Sequence, residues 1–249
     1  VSWARRCVDE TGPGPGRLIG LGVGYRYDGY QFSGDGIFGK QPWRHVHTPE
    51  ISLISSWKFN ERWSGIGSVF GRWSFEKGGS SRGSFTYGGL GGVWYKVNDR
   101  LEIGPGFGIQ TQLDARGSFF PILLIKWEIV DKLVLETGSG LGATLGPGLV
   151  LKYSPTEHWD FSFGGRYDRL RFRMDPYGIA PSGVGEDTQL GLLGAVTFRT
   201  GPENLVSVSL FVGVDLFGDL GIEGAGGRRI ALQSHNPPVN FGVSFGVGF

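Results

Sequence analysis

The stretch VNFGVSFGVGF, Val239 to Phe249, decides the fold. Val239, Phe241, Val243, Phe245, Val247 and Phe249 alternate with Asn, Gly and Ser. A strand sends successive side chains to opposite faces. One face is therefore bulky and apolar, the other small and polar. A soluble strand buries its apolar face and shows water a polar one, and glycine makes a poor solvated strand face. A membrane-spanning barrel strand turns its apolar side to lipid and keeps small polar groups inside.

Working outward, a period-2 reading gives about twelve segments of barrel-strand size. They lie near 17–32, 50–59, 62–75, 83–97, 101–111, 119–130, 132–144, 148–154, 159–173, 187–200, 204–217 and 239–249. In LEIGPGFGI, Leu101, Ile103, Pro105, Phe107 and Ile109 share one face, and Glu102, Gly104, Gly106 and Gly108 the other. Pro105 removes a ladder donor, so it belongs where that donor is not needed or at a bulge. Ile66, Phe70, Ile122 and Leu124 fall on the inner parity, which implies a bulge or a filled interior there.

The connections alternate long and short. The long ones fall near 33–49, 76–82, 112–118, 174–186 and 218–238, with the short 145–147 on the same side. Asn60-Glu61, Asn98-Asp99-Arg100, the Asp131 turn, SPTEH and GPEN are the short ones. Outer-membrane barrels have short periplasmic turns and longer external loops. The expected fold is thus an all-β, transmembrane, antiparallel up-and-down barrel of about twelve strands, with both termini periplasmic. An ordinary β-sandwich rich in aromatics is the alternative.

Composition agrees. Glycine supplies 46 of 249 residues, beside 18 Phe, 8 Trp and 8 Tyr, which argues against disorder. Mean hydropathy is −0.09, and the longest apolar run, FFPILLI, stops at Lys126, far short of a membrane helix. A net charge of +1 gives no electrostatic case for nucleic acid. The lone Cys7 excludes an internal disulfide and a four-cysteine metal site. Residues 1–16, with the linker TGPGPG, read as a short periplasmic extension, and 17–249 as the barrel. Val1 is expected to follow a removed export signal.

Aromatics at the short-turn end form an expected girdle: Trp57, Trp63, Tyr95, Trp127, Tyr153, Trp159 and Phe249. Phe59 and Phe198 lie beside the same turns.

The segments NDRLEIGPGFG, FFPILLIKWEIVDKLVLE, YSPTEHWDFSFGGRYDRLRFRM and GVGED lie between about Phe85 and Ala231. On these the chain resembles an uncharacterised family of bacterial outer-membrane β-barrel proteins, a domain of unknown function. The final Phe249 resembles the end of such proteins, where it belongs to the assembly signal. The resemblance implies architecture and location, and it brings no catalytic or binding residues with it.

Inward parity gives the candidate lumen lining: Arg26, Lys58, Lys96, Glu102, Lys126, Glu128, Glu136, Lys152, Asp160, Arg166, Asp168 and Arg199, with Asp28 and Asp215. Glycines 104, 106, 108, 138, 140, 142, 164, 191, 242 and 246 run between them. One reading is a porin-like, water-filled conduit for small polar solutes, widened by glycine and filtered by charge. A second is a closed barrel whose charges pair across a narrow interior. A third is a plug or partner at loops 33–49 and 218–238.

Arg169, Arg171 and Arg173 share odd parity with Trp159, Phe161 and Phe163, so they are expected to point outward. From residue 161 to 169 a strand tilted about 40° climbs roughly 20 Å of the ~25 Å apolar band. The three arginines are then placed to grip lipopolysaccharide phosphate. An outer-leaflet lipid-modifying enzyme, a hydrolase or acyltransferase, is a minor alternative with little support. His45, His47, His158 and His235 are the only histidines, and no G-x-S-x-G, H-E-x-x-H or Cys/His cluster accompanies them. No cofactor or metal is expected.

Overall fold

The structure is a computed structural model, describing residues 17–33, 35–137, 148–200, 206–234 and 239–247. It is all-β apart from one turn of helix, α1 (Gly36–Gly39), and one 3-10 turn (Ser81–Gly83). The strands are β1 (Arg17–Gly29), β2 (His45–Lys58), β3 (Trp63–Trp73), β4 (Phe75–Glu76), β5 (Phe85–Asn98), β6 (Leu101–Gln112) and β7 (Ala115–Val130). They continue as β8 (Leu133–Thr137), β9 (Gly148–Tyr153), β10 (Trp159–Arg173), β11 (Val184–Thr200), β12 (Val206–Glu223), β13 (Arg229–Ser234) and β14 (Val239–Val247).

All belong to one 14-stranded sheet, paired antiparallel along its length. β4 carries β3 on past Ser74, pairs with the start of β2, and also meets β10 in parallel at Arg173 and Phe75. That contact closes a barrel of nine strands: β2, β3, β5 to β10, and β4. Outside the circuit, β1 pairs with β2, β11 with β10, and β12 with β11, while β13 and β14 both return along β12. Among the described residues no pairing joins β1 to β14. The region expected as loop 218–238 is partly strand, because β12 runs on to Glu223 and β13 answers it. At Pro105 the β5–β6 ladder is interrupted: Gly92 pairs with Gly106 and Tyr95 with Ile103, with Val93 and Trp94 between. The missing donor falls in that gap.

The two faces of the sheet differ as the period-2 pattern requires. Outward residues such as Ile19, Leu21, Val23, Leu53, Val69, Phe107, Phe119, Leu123, Phe163 and Val212 are large, apolar and exposed. Inward, bulk alternates with glycine across the strands. Phe70 opposes Gly88, Phe120 opposes Gly108 and Phe172 opposes Gly185. A β-carbon on any of these three glycines would run into the facing ring. The interior at these points is therefore filled by rings; among the glycines read as widening it, this corrects Gly108, while 138, 140 and 142 lie outside the described residues.

The buried core sits at the long-loop end. Residues 30–33 and 35–44 bury Phe38 and Trp43 against Leu170, Phe172 and Met174, with Leu220 and Ile222 from β12. Trp43 meets Tyr30, Phe32, Phe38 and Phe172 edge-on, at centroid distances of 5.2 to 5.9 Å.

Candidate functional site: the interior of the barrel

Three zones make up the interior. At the short-turn end, register brings charges into sequence. Lys96 opposes Glu102, Glu102 opposes Lys126, and Lys126 opposes Glu136. Lys152 reaches Glu136 at 4.0 Å, and Arg199 is paired with Asp160 on the next strands. From Lys96 to Arg199 the sign thus alternates strand by strand. Lys96 also bonds the turn residue Asp99 at 2.9 Å, and Ser154 donates to Asp160 at 2.6 Å. Lys58 lies exposed on the same face of β2, and Glu128 follows Lys126 on β7.

Around the outside of that end, aromatic side chains run from strand to strand. Trp63 packs on Tyr95 and Trp159 on Phe198, each pair at 4.9 Å. Trp127 and Tyr153 stand between them on β7 and β9, both exposed. Trp57 lies over its partner Gly65 and is half-buried. Phe249 lies outside the described residues.

The second zone lies against the aromatic seal formed by residues 30–33 and 35–44. Arg26 donates to Asp168 at 2.7 Å and to Asp28 at 2.8 Å, joining β1 to β10. Tyr30 donates to Asp187 at 2.7 Å. Arg166 and the buried Asp215 stand on the same inner face of β10 and β12.

The third zone overturns an expectation. Arg169, Arg171 and Arg173 do share a face with Trp159, Phe161 and Phe163, but they are not an exposed ladder. Up to Arg166, β10 pairs with β9; at Arg173 that edge meets β4 instead. Beyond Tyr167 the odd-numbered face of β10 therefore looks across at β3, β5 and β6. Arg171 is buried, bonded to Glu186, to Glu223 at 2.5 Å and to the Leu113 carbonyl at 3.0 Å. Arg169 is bidentate on Glu186. Arg173 grips Asp114 through both terminal nitrogens, at 2.5 and 3.0 Å, and donates to the carbonyls of Gly83 and Ser182. Donation from Arg173 holds the Asp114 carboxyl below the usual carboxylate range. All three arginines are engaged inside the protein, so the lipopolysaccharide-phosphate ladder is withdrawn.

Arg171 and Arg173 together staple the β6–β7 turn, Leu113 and Asp114, onto β10. Beside the staple is a water-sized cavity of about 20 Å³, lined by Phe70, Arg72, Thr86, Gln110 and Gln112 together with Arg169 and Arg171. Arg72 is paired with Glu50 at 3.0 Å. Glu50, Arg72, Asp114, Glu186 and Glu223 escaped the sequence reading. Glu50 and Arg72 share the inner parity of Lys58 and Phe70, whereas the inward direction of Asp114, Glu186 and Glu223 depends on which strand faces β10, which parity does not carry.

His45 and His47 are on β2, where their Nδ1 atoms meet the hydroxyls of Tyr27 and Tyr25 at 2.6 and 2.5 Å. His235 lies outside the described residues, and so does Cys7. Among the described residues no group of three or more His, Cys, Asp or Glu is arranged to hold a metal ion. Comparison with known protein families, curated proteins and solved structures finds no match for this chain.

Proposed function

We propose that this chain is a bacterial outer-membrane β-barrel that lets small polar solutes through a narrow passage, with its long-loop end facing outward from the cell. The observation that carries the location is the exposed apolar face. Soluble monomers rarely expose apolar patches beyond a few hundred Å². Here exposed Ile, Leu, Val and Phe cover the outside of strand after strand, edged by Trp and Tyr at one end. Lipid is the solvent that face suits, and the charged inner face suits water.

The proposal takes β3 with β4 as one wall strand, and β13 with β14 as another. That gives about twelve wall strands, the ring closing where β14 meets β1 in the membrane. The outer half of the interior has two sides with different prospects. The aromatic side is sealed. Val46, Trp43, Phe172, Met174 and Ile222 are fully buried there. At ~1.5–3 kcal/mol each, withdrawing them costs on the order of 10 kcal/mol, so the displaced state is populated at about 10⁻⁷. Any passage therefore follows the polar side, between β10 and strands β3, β5 and β6.

The test is reconstitution of the purified barrel in planar bilayers and in liposomes. Unit conductance well below that of an open 16-stranded porin, with measurable uptake of a small neutral solute, is expected. The second reading is a closed structural or partner-binding barrel, which the aromatic seal favours. Complete impermeability of folded protein in several lipids decides for it.

A further inference from the structure

The cavity beside the Arg171–Arg173 staple has features that the passage reading alone does not require. It lies on the face of β10 opposite the aromatic seal, within the nine-strand circuit. Its wall carries Arg72, Arg169 and Arg171, and each guanidinium is met by a carboxylate: Glu50, Glu186 and Glu223. The wall's three positive charges are matched by three negative. A fourth arginine, Arg229, meets Glu223 at 3.6 Å but is half-exposed and off the wall, so the wall stays close to neutral. An ion entering such a site gives up hydration and gains no opposing charge, which is the costly case. A neutral solute gives up only hydrogen bonds, and Thr86, Gln110 and Gln112 offer replacements of both kinds. The side chain of Arg171 is 6% exposed, and its Nε–H has no hydrogen-bond partner. A buried donor left unpaired is the kind of group that water or a passing solute completes.

We propose that this arginine–glutamine chamber is the constriction that selects the solute, passing small uncharged hydrogen-bonding molecules in preference to ions. The proposal rests on the passage reading above. At about 20 Å³ the chamber holds roughly one water. Gln112 on its wall leads directly into the Leu113–Asp114 turn, which Arg171 and Arg173 hold down. Neutral solutes larger than water need the adjoining Gln110–Gln112 wall to give, glycerol a little and a pentose more, and the Asp114–Arg173 pair restrains the turn that follows that wall.

The experiment uses the full barrel in liposomes, with folding verified by heat-modifiable mobility. Swelling is recorded in glycerol and in a pentose, and the reversal potential under a potassium chloride gradient. Wild type is expected to take up glycerol and to show little ion preference. Glu50→Gln leaves Arg72 uncompensated and should shift the reversal potential toward chloride, with several-fold greater chloride permeability. Gln110→Lys adds a positive charge without breaking a pair and should act in the same direction, which covers a failure of Glu50→Gln to fold. Asp114→Ala should speed pentose entry several-fold and glycerol entry less. Glycerol uptake by wild type with all three variants unchanged overturns the chamber and leaves the passage standing. Folded wild type that takes up no glycerol overturns both.

Discussion

Phe70 lies across Gly88, its direct partner on the neighbouring strand, so closely that a β-carbon on residue 88 would overlap the ring. The same arrangement joins Phe120 to Gly108 and Phe172 to Gly185. Glycine in a strand often marks a close approach of this kind.

Gly88→Ala is therefore expected to destabilise the barrel by about 1–3 kcal/mol through overpacking. Gly29→Ala is the control, because a β-carbon there meets only the Tyr27 ring at an ordinary 3.8 Å. Urea unfolding in lipid vesicles measures both. Equal midpoints for the two variants contradict the ring-on-glycine account.

Trp43→Ala removes the centre of the aromatic seal, and large-to-small changes of this kind cost about 3–5 kcal/mol. The proposed route runs along the other side of β10, so the variant should lose stability without gaining glycerol uptake. A leak through Trp43→Ala that exceeds that of Asp114→Ala places the route on the wrong side of β10.

Trp63, Trp127 and Trp159 are each partly exposed on the outer face at the short-turn end. In vesicles with brominated lipid their fluorescence should be quenched, most strongly by bromine near the headgroup. Trp43, fully buried, should be spared. Protection of all three outer tryptophans rules out a membrane-facing surface.

The Asp114–Arg173 pair has a defined pH window. The carboxyl is held below its ordinary value, near 3.9 when unperturbed. A lowered folded-state pKa means the contribution is complete above the unfolded value and is lost as pH falls through the folded one. A spin label at the exposed position 116 should keep its mobility from pH 8 to pH 5 and loosen only below about 4. Loosening near pH 6 shows that Asp114 does not hold the turn.

Much of the strand pattern was legible because a period of two is written directly into side-chain choice. The segment 159–173 matches β10 end to end, and the inner charges of β6 and β7 follow from alternation alone. The Arg169–Arg173 ladder shows where alternation stops. Parity placed these residues on the right face, but it says nothing about what covers that face. The covering depends on β10 meeting β4, a contact between residues 173 and 75 that no local pattern announces. Glycine was misread for a related reason. Its small size signals either open space or a ring pressed against it, and only the cross-strand register distinguishes the two.

The alternating charges at the short-turn end bear on how the sheet is assembled. Each of the strands from β5 to β11 brings a charge whose sign is opposite to that of its neighbours. A slip of one residue turns a charge onto the apolar outer face, and a slip of two separates it from its counterpart by roughly 7 Å. Omission or exchange of a neighbour sets like charges side by side, which is unfavourable across a strand pair. The belt therefore acts as a proofreading key: a growing sheet closes smoothly when every strand arrives in its proper order and register.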